Sequence, residues 1–167
     1  TSAATSTQVP PQQQLLNPPI IKKFDVQKLK LLEPFDGKYE TYGQFMRTFN
    51  ALVDSTDADD DIKFTTLLKF LDRNSKSLIA GCNSTNYNKA MTRLKEYYTN
   101  RYMAQQDIIR RLRNTPSVKN ESNLAAFRQL VGVVVDTYDS LQSIGAESDF
   151  LNVTYYQEIA NRVPYVV

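Results

Sequence analysis

At 167 residues, with 41% apolar and 23% charged side chains, the chain has the composition of one globular domain or two small ones. The 20 Lys and Arg against 18 Asp and Glu leave a net charge of +2, which argues neither for nor against a nucleic-acid partner. Histidine is absent and Cys82 stands alone, so this sequence excludes His-based nucleophile pairs, His-liganded metals, an internal disulfide and a zinc knuckle.

The single cysteine points to a reducing compartment. Three Asn-x-Ser/Thr triplets, at Asn83, Asn120 and Asn152, are read as chance because no secretory signal accompanies them. No apolar run approaches the roughly 20 residues that a membrane span needs. The chain opens on Thr1 and ends abruptly on apolar Tyr165-Val166-Val167, so it is expected to be a fragment of a longer one.

Residues 1–21 are Ser, Thr, Gln and Pro without charge, too poor in apolar surface to offset the entropy of ordering. With Lys22-Lys23 they form an expected disordered linker, 1–23. Pro10-Pro11 and Pro18-Pro19 lack the PxxP spacing of a docking peptide. From Phe24 to Leu32 the apolar pattern is too irregular to choose between a strand and a helical turn.

The stretch that organises the chain follows. Pro34 stops any helix, Asp36-Gly37 makes a turn, and a helix over about 41–54 is predicted, with Thr41 as N-cap. Its apolar face carries Tyr42, Phe45, Phe49, Leu52 and Val53. With Phe35 added, aromatic rings crowd around this one turn, and each can bury about 150–250 Å².

Asp54, Asp57, Asp59, Asp60 and Asp61 invite a metal hypothesis, but a calcium loop starting at Asp57 would place Ile62 and Leu68 where Gly and Glu are required. Acidic residues opening a second helix, about 58–72, are the better reading. Its buried face is expected to include Ile62, Phe64, Leu67 and Leu71. A short segment from Asn74 ends at Gly81, read as a C-cap.

A third helix is predicted over about 87–103, with Tyr87, Ala90, Leu94, Tyr97 and Tyr98 inward, continuing from Ala104 to Arg113. Basic residues dominate this run. Lys89, Arg93, Lys95, Arg110, Arg111 and Arg113 form a candidate RNA-contacting face, set against the simpler reading of a solvated basic surface.

Asn114-Thr115-Pro116 breaks the pattern. Asn120 or Ser122 then caps a helix over about 122–143, the most apolar of the chain, in which Phe127 and Val131 are expected in the core. Gly132 inside it costs roughly 1 kcal/mol against Ala and suggests close approach by another helix. Gly145 ends this helix, and a last amphipathic stretch, 147–163, stops at Pro164. The fold class is therefore all-α, with six or seven helices in two lobes, 24–103 and 104–167.

The ordered motifs resemble the Gag capsid region of BEL/Pao-type LTR retrotransposons, related to gypsy-type Gag and retroviral capsid. A Pro-x-Phe-x-Gly turn followed by aromatics is matched by Pro34, Phe35, Asp36, Gly37, Tyr42, Phe45 and Phe49, with Pro directly before Phe and Tyr in place of the usual Trp. Lys63, Phe64, Leu67 and Leu71 fit the next block, and Tyr87, Ala90, Leu94 and Tyr98 the one after it. In the second lobe Pro116, Val118, Leu124, Leu141 and Gly145 fit, and Arg162-Val163-Pro164 stands for a closing Lys-Leu-Pro. Two departures stand out: Asp72-Arg73-Asn74 replaces a Gly after the second helix, and no Cys-His box follows.

The resemblance implies a non-enzymatic structural protein without cofactors or metals, in two retroviral-capsid-like lobes. Its partner is expected to be itself, through many weak contacts that build rings and virus-like particles in the cytoplasm. RNA is met through other parts of Gag, and no membrane is involved. The copy is either an active element or a domesticated gene. Candidate assembly contacts are Gln44, Arg47 and Thr48 on one helix and Gly132 and Val133 on another. Two rival readings are a monomeric or dimeric adaptor holding a peptide in a groove, and an RNA-binding helical domain.

Overall fold

The computed structural model describes Ala3 and residues 20–164. Most of the predicted linker therefore lies outside the described residues. Its last part is docked: Lys22 forms an isolated parallel bridge with Thr56, and the Phe24 amide donates to the Asp57 carboxylate at 2.7 Å.

Seven α-helices follow: α1 (Tyr39–Phe49), α2 (Asp60–Phe70), α3 (Arg73–Leu78), α4 (Tyr87–Tyr98), α5 (Arg101–Arg113), α6 (Leu124–Ser143) and α7 (Val153–Ala160). Short 3-10 turns at Val26–Leu31, Ser84–Asn86 and Glu147–Leu151 and a π turn at Asn50–Asp54 link them. No strand occurs among the described residues, as the all-α expectation requires.

The helix starts follow local side-chain chemistry. Asp36 accepts from the Lys38 amide at 3.0 Å and from the Thr41 hydroxyl, so Thr41 braces the turn instead of capping the helix. As a result α1 begins two residues earlier, at Tyr39. Asp59 caps α2, and Asp72 caps α3 by accepting from the amides of Asn74 and Ser75. The predicted third helix is broken at Thr99-Asn100, where Asn100 accepts from the Met103 amide and restarts the chain as α5. The cap of α6 is Asn123, while Asn120 is engaged with Ser122. Gly81 is not in the left-handed region and does not cap α3, whose C-cap is Ile79.

Gly37 and Gly145 do adopt positive φ, at 80° and 67°. At Gly37 a Cβ would stand 2.8 Å from the Asp72 carboxylate. The turn and the α3 cap thus require glycine together.

Two apolar clusters form. The first runs from Leu29 to Ala104 and centres on packed rings: Tyr98 meets Phe35 edge-on at 5.0 Å and stacks on Tyr42 at 4.9 Å, and Phe35 lies 5.1 Å from Phe45. The buried Tyr98 hydroxyl is matched by Ser75 Oγ at 2.6 Å. Phe49, Leu67 and Leu94 complete this core, with Phe64 half-buried against it.

The second cluster joins Ile108, Ile109 and Leu112 of α5 to Leu141, Ala146 and Tyr155. Helix α5 serves both clusters, Ala104 closing the first and Ile108 opening the second. Ile144 packs against both.

Helix α6 departs most from expectation. Val131, expected in the core, is 57% exposed, and Phe127 is only half-buried. The residues that face inward are Leu130, Thr137, Ser140 and Leu141. The close approach expected at Gly132 does not occur, since nothing among the described residues lies within 4 Å of its Cβ position. The physical reason is that α6 carries more apolar residues than one face can hold, so periodicity alone could not select which face is buried.

Candidate assembly surfaces

Leu124, Val131, Val135 and Tyr138 are separated by seven, four and three residues. At 3.6 residues per turn they fall on one stripe, on the side of α6 away from Leu130, Thr137 and Leu141. They are 65%, 57%, 53% and 40% exposed. Tyr138 meets Phe150 edge-on at 5.5 Å, so the stripe reaches the turn before α7, where Leu151 is exposed, as are Val153 and Tyr156 in α7 itself. Large apolar side chains aligned over several helical turns and left in water are the mark of an interaction surface. Val133, nominated from sequence, is half-buried beside the second cluster, while Gly132 lies open on the surface.

A second surface lies on the first lobe. Gln44 and Thr48 line an apolar cleft of about 340 Å³ with Leu31, Pro34, Phe35 and Phe45. Leu31 at its rim is 62% exposed. Arg47, the third residue nominated with them, is held at 2.6 Å by the Gln44 side chain.

The basic run is not one face. Lys89, Arg93 and Lys95 are exposed on α4, and Arg93 approaches Cys82 Sγ at 3.5 Å. On α5 the charges are matched: Arg110 with Asp107, Arg111 with Glu40 at 2.8 Å, and Arg113 with Glu158 at 2.6 Å. The interleaved tyrosines are mostly structural. Tyr87 and Tyr98 are buried, and burial, more than any neighbouring charge, raises the pKa of each above the ordinary phenol value. Tyr97 stacks on Tyr39 at 5.5 Å. The aspartates after α1 are likewise engaged: Asp54 accepts from the Tyr87 hydroxyl at 2.8 Å, and Asp57 and Asp59 accept from backbone amides.

Two junctions support these surfaces. Between the lobes, Glu40 receives Arg111 and, at 3.2 Å, the Ser140 hydroxyl. At the end of the second lobe, the buried Arg162 guanidinium donates to the carbonyls of Thr115 at 3.0 Å and of Arg113, and pairs with Glu158 at 3.0 Å. It therefore satisfies carbonyls that the end of α5 leaves without helical partners.

The family model described as protein of unknown function (DUF1759) matches residues 35–164. The chain belongs to the DUF1759 family. DUF1759 is a domain known from retrotransposon Gag and polyprotein regions. No curated protein and no solved structure matches the chain. The DUF1759 match opens on Phe35 in the aromatic turn and closes on Pro164, two residues after Arg162. It thus takes in the second cluster, both junctions and all of the first cluster except Leu29, Leu32 and Phe24. Glu40, Ser140 and the outward orientation of Leu124, Val135 and Tyr138 were missed from sequence. The excess of apolar positions along α6 was the available signal.

Proposed function

We propose that this DUF1759 domain is a self-associating structural module, the capsid part of a BEL/Pao-type Gag protein, which builds rings or shells around the element's RNA in the cytoplasm. The reading is non-enzymatic and needs no cofactor. The observation that carries it is the apolar stripe of α6, which the described residues leave uncovered. Burying such side chains gains roughly 25 cal/mol per Å² of apolar surface, so a modest contact repeated many times suffices for a shell. Gln44, Arg47 and Thr48 beside the first-lobe cleft are proposed as a second contact, and RNA would be met elsewhere in Gag.

The test is molar mass by light scattering across a concentration series, with negative-stain microscopy at high salt. Mass that rises with concentration, or closed particles on the grid, supports the reading. A strict monomer at every concentration, in a chain extended on both sides, overturns it.

The cleft supports a second reading, an adaptor that takes an apolar peptide between Leu31 and Thr48. Peptide binding lost on Leu31→Glu, in a protein that stays monomeric, would favour it.

A further inference from the structure

We propose that the α6 stripe is covered by the same stripe of a second copy of this chain, packed antiparallel about a two-fold axis between residues 133 and 134, with Arg128 of each copy against Asp139 of the other. This rests on the self-association reading and specifies its contact.

The argument is one of charge and register. Arg128 and Asp139 are both exposed on α6, on the same flank of the stripe, and neither forms an ion pair among the described residues. Each stands five and a half residues from the point between 133 and 134, one before it and one after. In an antiparallel pair related by a two-fold axis at that point, residues equidistant from it and on the same flank face each other. Arg128 then meets Asp139 twice. In the same register Val131 of one copy falls within one residue of Val135 of the other, which closes the centre of the stripe. In a parallel pair about a two-fold axis, Arg128 of one copy and Asp139 of the other lie eleven residues apart along the helices and on opposite flanks of the contact, so they could not meet. The antiparallel arrangement also opposes the two helix dipoles.

Gly132 suits this geometry. It lies beside Val131 with open space above its Cβ position, so no side chain holds the second helix away at the centre of the contact. A lipid surface is a poorer occupant. The charges on α6 are Arg128, Asp136 and Asp139, and a helix lying on a membrane needs a basic polar face.

The experiment compares the dimer dissociation constants of the full chain, Val131→Ser, Arg128→Asp, Asp139→Arg and the double exchange Arg128→Asp/Asp139→Arg, by sedimentation equilibrium. Circular dichroism checks that each variant keeps its helices. Each single charge variant is expected to weaken the dimer about tenfold or more, since it places like charges together twice. The double exchange is expected to return to within about threefold of the parent. Val131→Ser is expected to abolish the dimer.

If Val131→Ser abolishes association but the double exchange rescues nothing, self-association through the stripe stands and the antiparallel register is overturned. If the parent chain does not associate, both fail. If Val131→Ser leaves the dimer intact, the contact lies on another surface and this inference is overturned.

Discussion

Glu40 in the first turn of α1 and Arg111 near the end of α5 join the two lobes through one ion pair, Nη2 to Oε1 at 2.8 Å. Their side chains are 12% and 30% exposed, and Oε2 of Glu40 has no hydrogen-bond partner among the described residues. The link is made by charge at close range more than by an aligned hydrogen bond. Asp107, 3.5 Å from Arg111 Nε, shares the cation. Arg111→Met would leave the Glu40 carboxylate buried without a counter-charge. It should cost about 1–3 kcal/mol, less than a fully buried pair because Arg111 keeps some solvent. Urea unfolding of Arg111→Met, Glu40→Leu and the combined variant should show a coupling above about 0.5 kcal/mol.

Two glycines should respond in opposite directions. Gly37→Ala forces a left-handed conformation and drives Cβ toward Asp72, so it should lose about 2 kcal/mol. Gly132→Ala sits in an open helical site and should gain roughly 0.5–1 kcal/mol. Thermal unfolding of the two variants at a low, fixed concentration checks both signs.

The Glu158 carboxyl is held below its ordinary value of 4.5, first by the hydrogen bond from Arg113 and then by that from Arg162. A depressed carboxylate pKa contributes stability that is complete above the unfolded value and is lost as pH falls through the folded one. The second lobe should therefore weaken below about pH 4.5. Glu158→Gln should flatten that part of the profile while lowering stability at pH 7. Denaturant midpoints at pH 3, 4, 5 and 7 give the measurement.

Leu141→Ala and Val131→Ala separate the two sides of α6. Leu141 is fully buried, so its truncation should cost about 2–5 kcal/mol. Val131 is exposed, and its truncation should leave monomer stability within about 0.5 kcal/mol. Chemical denaturation of dilute protein distinguishes them.

The first lobe was legible in sequence because its signals agree. Pro34, Asp36 and Gly37 specify the turn, and the rings that follow it have only one place to go, so Phe35, Tyr42, Phe45 and Phe49 are all buried. The restart at Asn100 was harder to see, since neither Gly nor Pro marks it and the apolar spacing runs on from Tyr98 to Ile108. Helix α6 was misread for a different reason. Val131 and Leu141 fit one broad apolar sector equally well. The inward side also holds Ser140, a polar residue whose hydroxyl donates to Glu40 a hundred positions earlier, and local pattern carries no trace of such a partner. The candidate surface is therefore the part of the molecule that periodicity hides.

Arg162 has a consequence for how the protein is made. The first core is complete in sequence by Ala104, so it can close while the ribosome is still translating. The second closes later, because the carbonyls at the end of α5 wait for a guanidinium that arrives some fifty residues on. Until then the nascent chain is a finished lobe trailing a sticky, unfinished one. If the α6 stripe is the contact proposed above, neighbouring chains on one polysome would meet through it during that interval, and assembly would begin at the site of synthesis.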